Sequence, residues 1–137
     1  MLKKYFFGIV ILLLCLAGLG IYKVMKPHHN VESENTEAVM SAKALYTEFQ
    51  NDEREAEKKW TGKVIEIKGK ISSVSENDNY ISVILAVTAD GGVNCSMLKK
   101  DLNPGYAFKI GEDITIKGKC TGFLMDVNLV DCVIKKN

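Results

Sequence analysis

Histidine is almost absent from this chain, and its absence excludes the most common form of nucleophilic catalysis. The only two histidines are His28 and His29, and none follows them. A serine or cysteine nucleophile needs a positioned base, which is most often histidine. The acidic residues are dispersed, and the adjacent pair Glu112 and Asp113 has the pattern of a turn before a strand. We therefore predict that the protein is not an enzyme and uses no cofactor.

Cysteine is also scarce, and its spacing predicts no metal site. The four cysteines are Cys15, Cys95, Cys120 and Cys132. A structural zinc site needs four sulfur or nitrogen ligands, usually including a closely spaced cysteine pair, and the sequence has no Cys-x-x-Cys. The two adjacent histidines lack a third ligand nearby, so we interpret them as solvated side chains.

A basic excess is missing from most of the chain. Four of the 18 Lys and Arg residues precede residue 30, whereas all 17 Asp and Glu residues follow it, so the remainder carries 14 basic against 17 acidic residues. Nucleic-acid-binding domains usually show a clear basic excess, because neutralised phosphates supply much of their affinity. The composition therefore disfavours nucleic acid as the partner.

One long apolar run is present, at the N-terminus. Residues 5–22 are 18 residues without a charge, and as a helix they would span roughly 27 Å, close to the hydrocarbon thickness of a bilayer. We predict an N-terminal transmembrane helix that anchors the chain through residues 1–25. The alternative is a cleavable signal peptide, with Gly18 and Gly20 as the small residues at a cleavage site.

Positive charges flank this run on both sides. Lys3, Lys4 and the amino terminus precede it, and Lys23 and Lys26 follow it. The small excess on the N-terminal side favours a cytoplasmic N-terminus. We expect a single-pass membrane protein with its C-terminal domain outside the cytoplasm or, after signal cleavage, a secreted or periplasmic protein.

The next two regions are a linker and a helical segment. Residues 26–37 are polar, contain Pro27 and lack an apolar period, which predicts a linker. Residues 38–60 form the predicted helical segment. Apolar residues at helical spacing indicate one amphipathic helix over about residues 37–50, and Asn51 or Asp52 then caps a shorter helix that ends at Trp60.

The apolar period changes to two in residues 61–137, which predicts five strands. We place them at about Lys63–Ser75, Tyr80–Thr88, Val93–Met97, Ile114–Cys120 and Val127–Ile134. The first and fourth share the phrase Ile-x-Ile-Lys-Gly-Lys, whose glycine predicts a bend. Five strands with a long excursion between the third and fourth are typical of the OB-fold, a five-stranded Greek-key barrel. The predicted fold is therefore mainly β, with this barrel preceded by one or two α-helices and the transmembrane helix.

Several phrases resemble the bacterial tRNA_anti-like family, an OB-fold group. They lie between Leu45 and Ile134, in residues 59–69, 93–95, 111–122 and 127–132. The resemblance implies the fold and does not imply a ligand.

OB-folds present ligands with the face of their second and third strands and with the neighbouring loops. The residues predicted to bind a ligand here are Tyr80, Ser82, Asn94, Ser96, Phe123 and Met125. We predict a binding module for a small molecule, an oligosaccharide or a protein partner. One alternative is a single-stranded nucleic-acid-binding protein, and the other is a structural or assembly component of the cell envelope. The nucleic-acid surface would use the outward lysines of strands one and four, Lys68, Lys70, Lys117 and Lys119.

Two of the cysteines are predicted to face each other. Counting back from a turn near Asp126 places Cys120 opposite Cys132, with both side chains pointing inward. In an oxidising compartment they would form a disulfide worth about 2–4 kcal/mol. The alternative is a pair of buried thiols that pack as small apolar residues.

The topology prediction is tested by fusing a reporter to the C-terminus. We expect activity from a reporter that works only outside the cytoplasm, because the N-terminal flank carries the excess of positive charge. Activity from a strictly cytoplasmic reporter would contradict export of the domain.

Overall fold

A computed structural model describes residues 8–11, 15 and 30–135. Residues 8–11 and 15 are helical. Most of the predicted membrane segment, and His28 and His29 in the linker, lie outside the described residues. Within the part of the chain that the structure describes, no helix is both long and apolar enough to cross a bilayer.

Residues 30–135 form one sheet with two helices and a short 3-10 turn. The elements in chain order are β1 Ala38–Ser41, α1 Ala42–Asn51, α2 Glu53–Trp60, β2 Val64–Glu76, β3 Tyr80–Ala86, β4 Gly92–Leu98, the 3-10 turn Lys99–Asp101, β5 Asp113–Phe123 and β6 Val127–Lys135. The strand order is β1-β2-β3-β4-β6-β5, and β2 also pairs with β5, so β2 to β6 close into a five-stranded barrel. Strands β4 and β6 pair in parallel. The predicted mainly-β barrel is confirmed.

The two copies of the repeated phrase pair with each other. In the antiparallel ladder of β2 and β5, Ile67 lies opposite Ile116, and Gly69 lies opposite Ile114. Both central isoleucines are fully buried. A side chain at Gly69 would have its Cβ 3.0 Å from the Cβ of Ala42. The glycine therefore allows the close approach of α1 to the bend of β2.

Helix α1 closes one end of the barrel with its apolar face. Leu45 and Phe49 are buried, and both belong to the same core cluster as the inward residues of the strands. The Oγ of Ser41 accepts a hydrogen bond from the amide of Ala44 (3.1 Å), which caps the helix at its first turn. The predicted helix start near residue 37 is wrong, because residues 38–41 pair in parallel with β2 as a short strand.

Helix α2 is attached to α1 through one carboxylate. Asp52 caps α2 by accepting from the amide of Glu55 (3.1 Å), as predicted. Glu48 on α1 accepts hydrogen bonds from the Nζ of Lys59 (2.9 Å) and from the Nε1 of Trp60 (2.7 Å). The hydrogen bond from Lys59 lowers the pKa of Glu48 below its ordinary value, although partial burial opposes this shift.

The described part of the predicted linker packs on the barrel. We call residues 30–37 the strap. Val31 is buried, with 1% of its surface exposed. The Nζ of Lys117 donates to the main-chain oxygens of Glu32 (3.3 Å) and Glu34. Lys117 was expected on the solvated face of strand four, and this expectation is wrong because the strap covers its side chain, which is only 4% exposed.

Replacing Lys117 tests whether the strap is a fixed part of the fold. Lys117→Met keeps much of the side-chain volume but leaves two strap carbonyls without their donor. We expect the free energy of unfolding to fall by about 1–3 kcal/mol, measured by urea denaturation. Lys68→Met, on an exposed position of β2, is the control and should change stability little. Equal stability of the two variants would contradict a fixed strap.

Candidate functional site

Polar side chains form a row across the outer face of three neighbouring strands. The Oγ of Ser82 on β3 donates to the Oδ1 of Asn94 on β4 (2.7 Å). The Nδ2 of Asn94 donates in turn to the Oδ1 of Asn128 on β6 (3.2 Å). Asn94 and Asn128 are direct partners in the parallel ladder, so the register itself brings the two amides together. We call Ser82, Asn94 and Asn128 the amide row.

Two grooves run along this face and meet at Ser82 and Ser96. The residues that line the first groove are Ser75, Glu76, Asn77, Tyr80, Ser82 and Ser96. The second groove contains the whole amide row and extends past Thr121 to Phe123 and Leu124, with Glu57 of α2 at its border. The two grooves thus form one surface, with polar and apolar side chains, that runs from the β2–β3 turn to the β5–β6 hairpin.

Five of the six residues predicted to bind a ligand line these grooves, namely Tyr80, Ser82, Asn94, Ser96 and Phe123. The sixth, Met125, lies at the hairpin tip, where 75% of its surface is exposed. It lines neither groove.

Asn128 and Glu57 belong to the site but were not predicted. Val127 and Leu129 are buried on either side of Asn128, so the apolar alternation of the fifth strand already indicated its outward position. Asn128 was not predicted because only the second and third strands and the neighbouring loops were expected to present the ligand. The position of Glu57 has no comparable signal, because the packing of α2 on β5 brings it to the groove.

The aromatic wall of the second groove is fixed by α1. The ring of Phe123 stacks on Phe49 with 5.7 Å between centroids and meets Tyr46 edge-on at 5.8 Å. At the same end, the Oδ1 of Asp126 accepts from the amide of Gly92 (2.7 Å), which ties the β5–β6 hairpin to the start of β4. Leu124 points away from this packing and is 85% exposed.

The charged side chains that line the grooves are acidic. Among their lining residues, Glu57 and Glu76 are the only charged side chains. The four lysines predicted for a nucleic-acid surface lie on β2 and β5. Lys68 and Lys70 are exposed there, and Lys119 is half-buried. Lys70 lies opposite Asp113, and Lys117, beneath the strap, lies opposite Glu66. These lysines therefore do not form a continuous basic strip.

The predicted opposition of Cys120 and Cys132 is wrong. Bulges interrupt the ladder of β5 and β6, so Cys120 lies opposite Leu129. Both are free thiols. Burial raises the pKa of both thiols, most strongly that of Cys132. Within the described residues, no group of three or more His, Cys, Asp and Glu side chains is arranged to hold a metal ion.

Comparison with known proteins agrees with this architecture. The family model described as tRNA_anti-like matches residues 1–134. A crystal structure of a putative nucleic acid-binding lipoprotein from Klebsiella pneumoniae superposes with a TM-score of 0.60 and 16% identity, covering 81% of this chain and all (100%) of that chain. At this identity the similarity is one of fold. No curated protein matches the chain.

The stacking of Phe123 on α1 predicts that this contact holds the β5–β6 hairpin in place. Phe123→Ala removes the contacts to Phe49 and Tyr46, and we expect it to lower the free energy of unfolding by about 1–3 kcal/mol. It should also speed proteolytic cleavage near residues 124–126. Leu124→Ala, one residue along at an exposed position, is the matched control and should be near neutral in both measurements. Similar behaviour of the two variants would show that the hairpin is not held by α1.

Proposed function

The chain belongs to the tRNA_anti-like family, and we propose that it is a membrane-tethered binding module outside the cytoplasm that takes a neutral, hydroxyl-rich ligand on the face of β3, β4 and β6. OB-folds use this face for oligonucleotides and for oligosaccharides. The observation that separates these classes here is the charge of the grooves, whose lining includes no lysine or arginine. An oligosaccharide is the ligand class that fits.

The chemistry of the amide row suits hydroxyl groups. An amide has two N–H donors and an oxygen with two lone pairs, and a hydroxyl both donates and accepts. The hydrogen bonds within the row use only part of this capacity in Asn94 and Asn128. Tyr80, 38% exposed, and Phe123 offer rings on which the apolar side of a sugar can lie.

The acidic side chains also favour a neutral ligand with hydroxyl groups. The carboxylates of Glu57 and Glu76 can accept hydrogen bonds from ligand hydroxyls. Glu57 in the second groove would repel phosphates, whose neutralisation by Lys and Arg supplies most of the affinity for nucleic acid, whereas Glu76 is paired with Lys99 (3.3 Å). The second groove therefore favours a neutral ligand over an anionic one.

Single-stranded nucleic acid is the second candidate. The Klebsiella neighbour is described as a putative nucleic acid-binding lipoprotein, and Lys68 and Lys70 are exposed on β2. A nucleic acid held by these lysines would lie along β2, away from the amide row. The two candidates thus differ in position as well as in charge.

The tether is supported by the apolar run of residues 5–22 and by the strap. Only seven residues separate Tyr22 from Asn30, and the eight Cα–Cα steps between the two residues span roughly 28 Å when fully extended. Because the strap is packed on β5, an anchored chain would hold the barrel close to the membrane surface. A ligand of the cell envelope would then lie within its reach.

The test compares two probes on the full-length chain in detergent. We expect binding to neutral glycans on an array of bacterial envelope oligosaccharides, with affinity unaffected by salt. Asn94→Ala should weaken it about tenfold, since one or two hydrogen bonds are lost. Asn51→Ala, an exposed amide on α1, is the control and should bind normally.

The second probe is a labelled single-stranded oligonucleotide. Binding that falls steeply with salt and is weakened by Lys68→Ala would favour the nucleic-acid candidate. Absence of any glycan binding, together with oligonucleotide binding that requires Asn94, would contradict the proposed ligand class.

A further inference from the structure

We propose that the ligand of the second groove is a neutral glycolipid, whose sugar headgroup lies on the amide row and whose apolar chain leaves the groove over Leu124. The inference rests on the proposed function, because it places the sugar on the same face of β3, β4 and β6. It adds an apolar subsite at the β5–β6 hairpin. It also adds a second chemical requirement for the ligand, namely a chain attached to the sugar.

The lining of the second groove changes from polar to apolar along the β5–β6 ladder. Gly122 lies opposite Asn128, which is a member of the amide row, and Phe123 lies opposite Val127 in the next pair. Successive residues of an antiparallel strand are roughly 3.4 Å apart. Phe123 and Leu124, which follows it, line the same groove as Asn128. A ligand that fills this groove therefore meets amides at one end and apolar side chains at the other.

The carboxylate of Glu57 lies at the polar end of the groove. A Cβ at Gly122, opposite Asn128, would be 3.6 Å from the Oε1 of Glu57. This carboxylate can accept hydrogen bonds from the hydroxyls of a sugar held by the amide row. It therefore contacts the headgroup in this arrangement, and the chain leaves on the other side of Phe123.

The apolar end of the groove is exposed to an unusual degree. Leu124 and Met125 form the hairpin tip, and they are 85% and 75% exposed, more than any other large apolar side chain that the structure describes. Turns are usually built from glycine and polar residues. Met125 lines neither groove, so Leu124 is the side chain that carries the subsite.

The backbone of the tip is held in place although its side chains are exposed. The amide of Leu124 donates to the main-chain oxygen of Asp126 (3.1 Å), which also accepts from the Nδ2 of Asn128 (3.0 Å). The Oδ1 of Asp126 accepts from the amide of Gly92 on β4 (2.7 Å). These bonds hold Leu124 in a defined position relative to the amide row, so binding need not order the loop at an entropic cost.

The headgroup and the source of the chain follow from the surroundings of the groove. No lysine or arginine lines it, so the phosphate of a phospholipid would have no cationic partner there. A neutral sugar needs none. An anchor at residues 5–22 would keep the barrel close to a bilayer, since the eight Cα–Cα steps from Tyr22 to Asn30 span at most roughly 28 Å. Lipids of that membrane are the apolar chains within reach.

The experiment measures how much an attached chain improves the binding of a sugar. The full-length chain is placed in nanodiscs of a zwitterionic phospholipid, because the alkyl chain of a detergent would compete for the subsite. The probes are glucose, galactose, maltose and lactose, each as the free sugar and as its octyl glycoside below the critical micelle concentration. Calorimetric titration gives the dissociation constants, with empty nanodiscs as the blank. For at least one sugar we expect the octyl glycoside to bind about tenfold more tightly, because part of its chain leaves water against Leu124.

Variants locate this gain in affinity. Leu124→Ala should bring the ratio of the two dissociation constants close to one, and its unchanged urea midpoint would show that the fold is intact. Ile110→Ala is the matched control, because Ile110 is 72% exposed and lines neither groove. It should retain the full ratio. Asn94→Ala should weaken the free sugar and the octyl glycoside alike, because both place their hydroxyls on the amide row.

A second arm tests whether the chain comes from the membrane. Nanodiscs are prepared with the glycosyl diacylglycerol that carries the best-binding sugar. We expect this lipid to compete with the octyl glycoside and to raise its apparent dissociation constant. No competition would overturn a membrane glycolipid as the ligand.

The remaining outcomes separate this inference from the proposed function. A ratio close to one in the unaltered chain would overturn the apolar subsite and leave the sugar site standing. A gain in affinity that survives Leu124→Ala would also overturn the subsite. If no octyl glycoside binds, the inference fails, and absence of binding to the glycan array as well would remove the proposed function.

Discussion

The packing of α1 into one end of the barrel is the contact on which the rest of the structure depends. Leu45 and Phe49 are fully buried there, and burial of such side chains contributes about 1.5–3 kcal/mol each. The same helix touches the bend of β2 at Gly69 and stacks on Phe123 at the edge of the second groove. Closure of the core and the position of the groove wall are therefore set by one helix.

Much of the fold was predictable because local patterns determine it. The alternation of apolar residues placed all five barrel strands, and the paired phrases with Gly69 and Gly118 marked where β2 and β5 approach other elements closely. Features that depend on distant parts of the chain were not predictable. Lys117 is buried by strap residues 83 and 85 positions earlier. Bulges, which leave no clear trace in the sequence, moved Cys120 away from Cys132.

The candidate site was also predictable only where local sequence patterns determine it. Residues on the predicted outer face of β3 and β4 were found, because the OB-fold fixes which strands present a ligand. Asn128 comes from β6, which the parallel pairing places beside β4, and Glu57 comes from a helix packed over the barrel. The structure adds the chemical character of the groove lining, on which the proposed ligand class depends. The four lysines predicted for a nucleic-acid surface are on β2 and β5, and the grooves contain amides, hydroxyls and carboxylates.

Ligand binding at the face of β3, β4 and β6, whose grooves are lined by no lysine or arginine, is the central proposal. Its most direct test is to map backbone amide chemical shifts of the isotopically labelled full-length chain in micelles during titration with a neutral envelope oligosaccharide. Binding at this face should concentrate the shifts at Tyr80, Ser82, Asn94, Ser96 and Asn128 and leave residues 68–70 unchanged. Shifts confined to residues 68–70 and 117–119, produced by an oligonucleotide and by no neutral oligosaccharide, would contradict it.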